Sequence, residues 1–185
     1  MKSLETSNIP TRTIRPYHRQ ASGLIKDLKP ILTRKYLSGR EEDFDYVELS
    51  LAEQLKYVLY SLSGKLEGKE ILDLGCGSIN SGRESPMGQD ILYEPWLCRT
   101  LKELGSNPIG VDVNDNSTER FRSYKVDLLK KGSLNFLPDY SIDLGNAHGL
   151  FTSPSLQSHP EILRNVLSPQ LERVVKKDGL FIYSL

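Results

Sequence analysis

Three carboxylates, each closing a short apolar run, are the side chains of this sequence best placed to do chemistry. In Glu70-Ile71-Leu72-Asp73-Leu74-Gly75-Cys76-Gly77-Ser78, the apolar run ends in Asp-x-Gly-x-Gly. Ile71, Leu72 and Leu74 suit a strand covered on both faces, while Gly75 and Gly77 lack the Cβ atoms that would hold a ligand away from the turn. Asn107-Pro108-Ile109-Gly110-Val111-Asp112-Val113 is a second short strand ending in an acid, and Tyr124-Lys125-Val126-Asp127-Leu128 is a third. In an open α/β sheet an acid at a strand end accepts hydrogen bonds from ribose hydroxyls. A lone Gly-x-Gly also marks turns that bind nothing. Three strand ends in this order point instead to a nucleoside-type cofactor site.

The elements that must position these residues alternate along the chain, as expected for α/β architecture. Pro95 suits the first turn of a helix running to about Leu104, with Trp96, Leu97, Leu101 and Leu104 on its apolar side. Ser141-Ile142-Asp143-Leu144-Gly145-Asn146-Ala147 reads as a fourth strand, with His148-Gly149-Leu150-Phe151 at its ligand-facing end. Helix starts are marked near Ser158, with Pro160 early in the helix, and at Ser168-Pro169 ahead of Leu171, Val174 and Val175. The fold predicted is a Rossmann-like, doubly wound, mainly parallel sheet of about five strands spanning residues 65–185. An N-terminal helical appendage of residues 1–64 forms an arm or lid.

Taken together, Asp73-Leu74-Gly75-Cys76-Gly77, Asp112 and Asp127-Leu128 resemble the class I S-adenosylmethionine-dependent methyltransferases, whose first motif is Asp/Glu-x-Gly-x-Gly at the end of the first strand. Val174-Val175-Lys176-Lys177-Asp178-Gly179-Leu180-Phe181-Ile182 is similar to that family's helix, glycine turn and fifth strand. The resemblance covers Lys65 to Leu185. It implies that S-adenosyl-L-methionine is the cofactor and that a methyl group moves by direct displacement to a small-molecule acceptor, with no metal required. It also implies that the Gly75, Cys76 and Gly77 backbone packs on the methionine portion and that Asp73 is oriented towards its amino group. Asp112 would take the ribose hydroxyls, Val113 would flank adenine, and Asp127 with Leu128 would read the adenine amine edge. Asn146 and His148 would border the methyl-transfer side. His148 is the one histidine at a predicted strand end facing the pocket, which makes it the candidate catalytic base, with a packed or positioning role as the alternative.

Two other readings stand beside this one. A nicotinamide-dependent Rossmann oxidoreductase wants Gly-x-Gly-x-x-Gly with an acid about 20 residues further on. Here the third glycine position is Asn80 and Asp112 lies well beyond that offset. A cofactor-binding module without turnover would keep the same fold, since a fold alone does not establish a reaction. Among acceptors, Asn146-Ala147-His148-Gly149 is not the Asn/Asp-Pro-Pro-Tyr/Phe motif of nucleic-acid amino methyltransferases, and neither cysteine follows a proline as cytosine carbon-5 enzymes require.

The chain's 24 Lys and Arg balance its 24 Asp and Glu, which removes the excess positive charge that would favour nucleic acid. Cys76 and Cys98 form neither a metal-ligand cluster nor an evident disulfide framework, so a cytoplasmic setting is expected. No apolar run reaches the length of a signal or membrane segment.

Within the appendage, Ser50-Leu51-Ala52-Glu53 reads as a capping box, followed by Leu51, Leu55, Val58, Leu59 and Leu62 on one face and a stop at Gly64. An earlier helix over 23–37 is expected to kink or split at Pro30. Tyr17, His18, Arg19 and Tyr36 are candidates for lid or substrate contacts, or else ordinary surface groups of a polar arm. The acidic run Glu41-Glu42-Asp43 reads as a solvated face.

The sequence departs from the family at two places. A long polar stretch from Ser78 to Asp90 follows the glycine turn; it is expected to form an extra loop over the site, with Arg83 a partner for a carboxylate. At the other end, Phe181-Ile182-Tyr183-Ser184-Leu185 ends the sequence inside the expected fifth strand, without the family's terminal hairpin. An apolar edge left open there would be covered by a second copy or by the chain's own N-terminal arm, and a homodimer is the arrangement favoured.

Overall fold

A computed structural model describes residues 1–37, 41–81, 90–151, 161 and 163–184. Its strands are β1 (Lys2–Glu5), β2 (Glu70–Leu74), β3 (Asn107–Asp112), β4 (Arg122–Lys125), β5 (Ile142–Ala147) and β6 (Val175–Tyr183). Its helices are α1 (Thr11–Tyr36), α2 (Phe44–Ser61), α3 (Trp96–Glu103) and α4 (Ser168–Val174), the last preceded by a π-helical turn at Leu163–Leu167. All pairings are parallel, in the order β1-β6-β5-β2-β3-β4. β2 is therefore central. From it the chain winds through β3 and β4 on one side, then crosses back to β5 on the other. That reversal is the topological switch point at which open α/β sheets form a ligand crevice.

Alternation along the strands divides the core between the two faces of the sheet. Ile71, Leu144 and Ile182 share one cluster with Ile25 and Leu32 of α1, Leu55 and Leu59 of α2 and Leu101 of α3. Leu72, Leu74, Ile109, Val111 and Phe181 face Leu171 and Val174 of α4 in a second cluster. Both faces are covered, as the continuous apolar runs require. Residues 1–64 thus supply a strand and two helices, and those helices share their core with the sheet.

Several boundaries differ from the sequence expectations. α1 runs through Pro16 and Pro30 as one continuous helix that begins at Thr11, so it is not split at Pro30 and does not start at Gly23. A proline inside a helix costs about 3 kcal/mol, and burial of Ile25 and Leu32 on either side of Pro30 offsets it. α2 begins at Phe44, so Ser50-Leu51-Ala52-Glu53 lies inside the helix and caps nothing. Fully buried Phe44 and nearly buried Val47 carry the helix back by nearly two turns. Its C-terminus is a Schellman motif: Gly64 N–H donates to Leu59 O at 2.7 Å and Ser63 N–H to Tyr60 O at 3.2 Å. Ser63, with φ of 50°, holds the left-handed position expected of Gly64.

β6 also begins earlier than expected. Ile142 pairs with Val175 and Leu144 with Leu180, so the residues read as a glycine turn form a bulge opposite Asp143. The outer edge of β6 is not open. β1 lies along it in the register Lys2↔Leu180 to Glu5↔Tyr183, which makes six strands where about five were expected. The chain's own N-terminus covers this edge, and the reason for placing a homodimer there is removed. Among the described residues, no helix is long and apolar enough to cross a membrane.

Candidate functional site

The C-terminal ends of β2, β3 and β5 open into a cleft of about 940 Å³, within the size range of small-molecule sites. Asp73, Gly75, Cys76, Gly77, Asp112, Val113, Asp127, Leu128 and His148 all line it. Four separated sequence segments are thereby brought to one place. Asn146 is not among the lining residues; it stands behind them, paired with Asp73 across β2 and β5.

Asp73 is the electrostatic centre of the floor. The residue is 4 % exposed. Asn146 Nδ2 donates to Oδ1 at 2.6 Å and Cys98 Sγ donates to Oδ2 at 3.6 Å. Burial pushes its pKa up to about 6, aided by the nearby Asp112 charge and opposed by the hydrogen bonds from Asn146 and Cys98.

Asp112 is held by its own loop and by the glycine loop after β2. Oδ2 accepts from Gly77 N–H at 3.1 Å, and Oδ1 accepts from Asn114 N–H at 2.9 Å and Asn114 Nδ2 at 3.1 Å. Asp127 Oδ1 accepts from Leu129 N–H at 3.0 Å. Beside these acids, exposed Val113, Leu129 and Leu92 provide an apolar wall.

The glycine loop has already used its backbone donors. Gly75 N–H and Cys76 N–H both donate to Val111 O, Gly77 N–H to Asp112, and Ser78 N–H to Tyr93 O. Gly75 and Gly77 have φ of 70° and 85°. A Cβ on Gly75 would lie 2.6 Å from Leu150 Cδ1, and one on Gly77 would lie 2.2 Å from Tyr93 O. The glycines therefore make room for the protein's own chain, whereas the sequence suggested room for a ligand.

His148 follows β5 with its ring stacked on Tyr57, centroids 6.1 Å apart, and its Nδ1 is buried without a hydrogen-bond partner. Burial lowers its pKa; Glu53 acts against this and Lys56 with it. The imidazole is consequently neutral near neutral pH and able to accept a proton.

Sequence reasoning missed one wall of the cleft. Val47, Ser50, Leu51 and Gln54 of α2 line it, as do Tyr93, Glu94 and Asn114. The spacing of 47, 51 and 54 on one helical face carried that signal, masked by the capping-box reading. Of the expected lid residues, Tyr17 packs edge-on against Tyr60, His18 Nδ1 lies 3.5 Å from Glu53 Oε1, and Arg19 is exposed. Tyr36 packs on Trp96. None of the four lines the cleft. Arg83, His159 and the helix start near Ser158 lie outside the described residues.

Glu94 is fixed from behind. Arg99, 3 % exposed, reaches Glu94 Oε2 from Nη1 at 2.5 Å and grips Glu119 with Nε at 3.1 Å and Nη2 at 2.6 Å. Its guanidinium lies 4.6 Å from the ring centres of both Tyr36 and Trp96. This clamp ties the 90–94 wall to the loop after β3.

The chain matches no protein-family model and no curated protein.

Proposed function

We infer that the chain is an S-adenosylmethionine-dependent methyltransferase acting on a small-molecule acceptor. The observation that carries this reading is the charge of the cleft: its described lining residues include Asp73, Asp112 and Asp127 beside Glu94, which Arg99 pairs from behind, and neither Lys nor Arg is among them. Such a lining favours a ligand bearing positive charge and sugar hydroxyls. It disfavours a dinucleotide, whose pyrophosphate needs free backbone N–H groups at a glycine turn and a helix N-terminus. Those donors are spent inside the loop here.

The residues present fit the cofactor. Asp73 would hold the ammonium, Asp112 the ribose hydroxyls, Val113 and Leu129 the adenine faces, and Asp127 with the Leu128 backbone its amine edge. When bound, the cofactor supplies an activated methyl group, so the protein's task is alignment and, for an acceptor that must lose a proton, a base. The neutral His148 imidazole serves as that base, and Ser50 and Gln54 on α2 supply polar contacts to the acceptor. The experiment is S-adenosylhomocysteine release measured with a panel of small hydroxyl, amine and carbon acceptors. Acceptor-dependent release, reduced about a hundredfold in His148→Gln, is the expected result. Release from no acceptor by a protein that binds the cofactor would make it a binding module.

A further inference from the structure

The two cysteines are far apart in sequence and adjacent in the fold. Cys76 sits between the two glycines of the cleft loop, and Cys98 lies on α3. Their side chains pack together with Phe121 in a small buried cluster of their own. Gly110 of β3 makes the space they share, since a Cβ there would fall 2.8 Å from Cys76 Sγ and 3.3 Å from Cys98 Sγ. Cys76 lines the cleft and is 8 % exposed, whereas Cys98 is fully buried. Cys76 thus stands at the cleft and Cys98 behind it.

We propose that Cys76 and Cys98 form a reversible dithiol–disulfide pair whose closure draws the glycine loop towards α3 and weakens ligand binding in the cleft. The oxidant is a peroxide entering by the cleft. Cys76 sulfur attacks one peroxide oxygen, the O–O bond breaks, and Cys76 becomes a sulfenic acid with release of one water. Cys98 sulfur then attacks Cys76 sulfur, the S–O bond breaks, and hydroxide leaves as a second water with the proton of Cys98. Asp73 Oδ2, which already accepts from that thiol, is placed to relay this proton. The two sulfurs together lose two electrons and the peroxide gains them. Both thiols are held protonated, Cys98 by burial first and by its contact with Cys76. For Cys76, the neighbouring Cys98 thiol lowers the pKa, but burial and the charges of Asp73, Asp112 and Glu119 outweigh it.

Closure has a direct route to the site. The disulfide removes the Cys98 hydrogen bond to Asp73 and pulls on Gly77, whose N–H holds Asp112. Formation of the cross-link needs no ligand, but its effect on affinity rests on the methyltransferase reading. The test is hydrogen peroxide treatment of the folded chain, followed by non-reducing intact mass, peptide mapping and calorimetry with S-adenosylhomocysteine. The expected results are loss of two hydrogens, a Cys76–Cys98 linked peptide, reversal by dithiothreitol, and affinity about tenfold weaker in the oxidised form. Cys98→Ser should instead leave a Cys76 sulfenic acid that dimedone traps. The proposal is overturned if treated wild-type chain keeps two alkylatable thiols, if Cys76 passes to sulfinic acid with Cys98 intact, or if the linked form binds with unchanged affinity. A cross-link in a chain that binds S-adenosylhomocysteine in neither state would leave the pair standing and remove the cofactor reading.

Discussion

Asp73 and Asn146 face each other across the two central strands, and the 2.6 Å hydrogen bond from Asn146 Nδ2 to Asp73 Oδ1 is the polar contact on which the cleft floor is built. Among the described residues no cation contacts Asp73, and the carboxyl is buried beside neutral groups and another acid.

The first prediction is a linkage. The pKa of Asp73 rises from 3.8 to about 6 on folding, so its stabilising contribution is full below the unfolded value and is lost as pH climbs through about 6. Above that, ionised Asp73 costs up to about 3 kcal/mol. Asp73→Asn should unfold at higher temperature than wild type near neutrality, with the gain shrinking as pH approaches about 4. S-adenosylhomocysteine affinity of the wild type should rise with pH through the same window, because an ammonium group favours the carboxylate. Thermal melts and calorimetry across pH check both; a flat affinity profile would remove Asp73 from the ligand.

Asp112→Ala should weaken S-adenosylhomocysteine binding by about 1 to 3 kcal/mol through lost hydrogen bonds to ribose. It also frees Gly77 N–H and Asn114, so a modest fall in melting temperature accompanies it. Calorimetry on the folded variant decides the matter. Unchanged affinity would take Asp112 out of the site.

Gly77→Ala, although only a methyl larger, should lower the melting temperature and abolish cofactor binding. Its Cβ would meet Tyr93 O at 2.2 Å, and φ of 85° is strained for any residue with a side chain. Circular dichroism melts and binding are the readouts. A variant of wild-type stability would show that the loop and the 90–94 wall are not packed as described.

Much of this site was legible in the sequence because strand-end acids and glycines are local patterns. Asp73, Gly75, Gly77, Asp112 and Asp127 could be read off single segments, and parallel strands then brought them together. What could not be read depended on distant pairing. Burial around Ile25 and Leu32 overrode the helix-breaking tendency of Pro30, and Phe44 extended α2 past its capping signal. β1 pairs with a strand at the other end of the chain, a contact that four residues carrying Lys2 and Glu5 do not announce. The role of Asn146 beneath Asp73 follows from strand register, which no single segment contains.

Arg99→Met should cost about 3 to 5 kcal/mol, because it leaves the Glu94 and Glu119 carboxylates buried without their partner. Adding Glu119→Gln should recover part of that loss, and the double variant should bind ligand better than the single one. Chemical denaturation of the three variants measures it. Equal stability of Arg99→Met and wild type would mean that the clamp does not hold the wall.

The central claim, that a cleft lined by Asp73, Asp112 and Asp127 takes a cationic nucleoside cofactor, is tested most directly by calorimetric titration of the full chain with S-adenosylhomocysteine and, separately, with NADH. Saturable one-to-one binding of S-adenosylhomocysteine in the micromolar range, displaced by S-adenosylmethionine, with no heat from NADH, is the predicted result. Tight NADH binding with none of S-adenosylhomocysteine would contradict it.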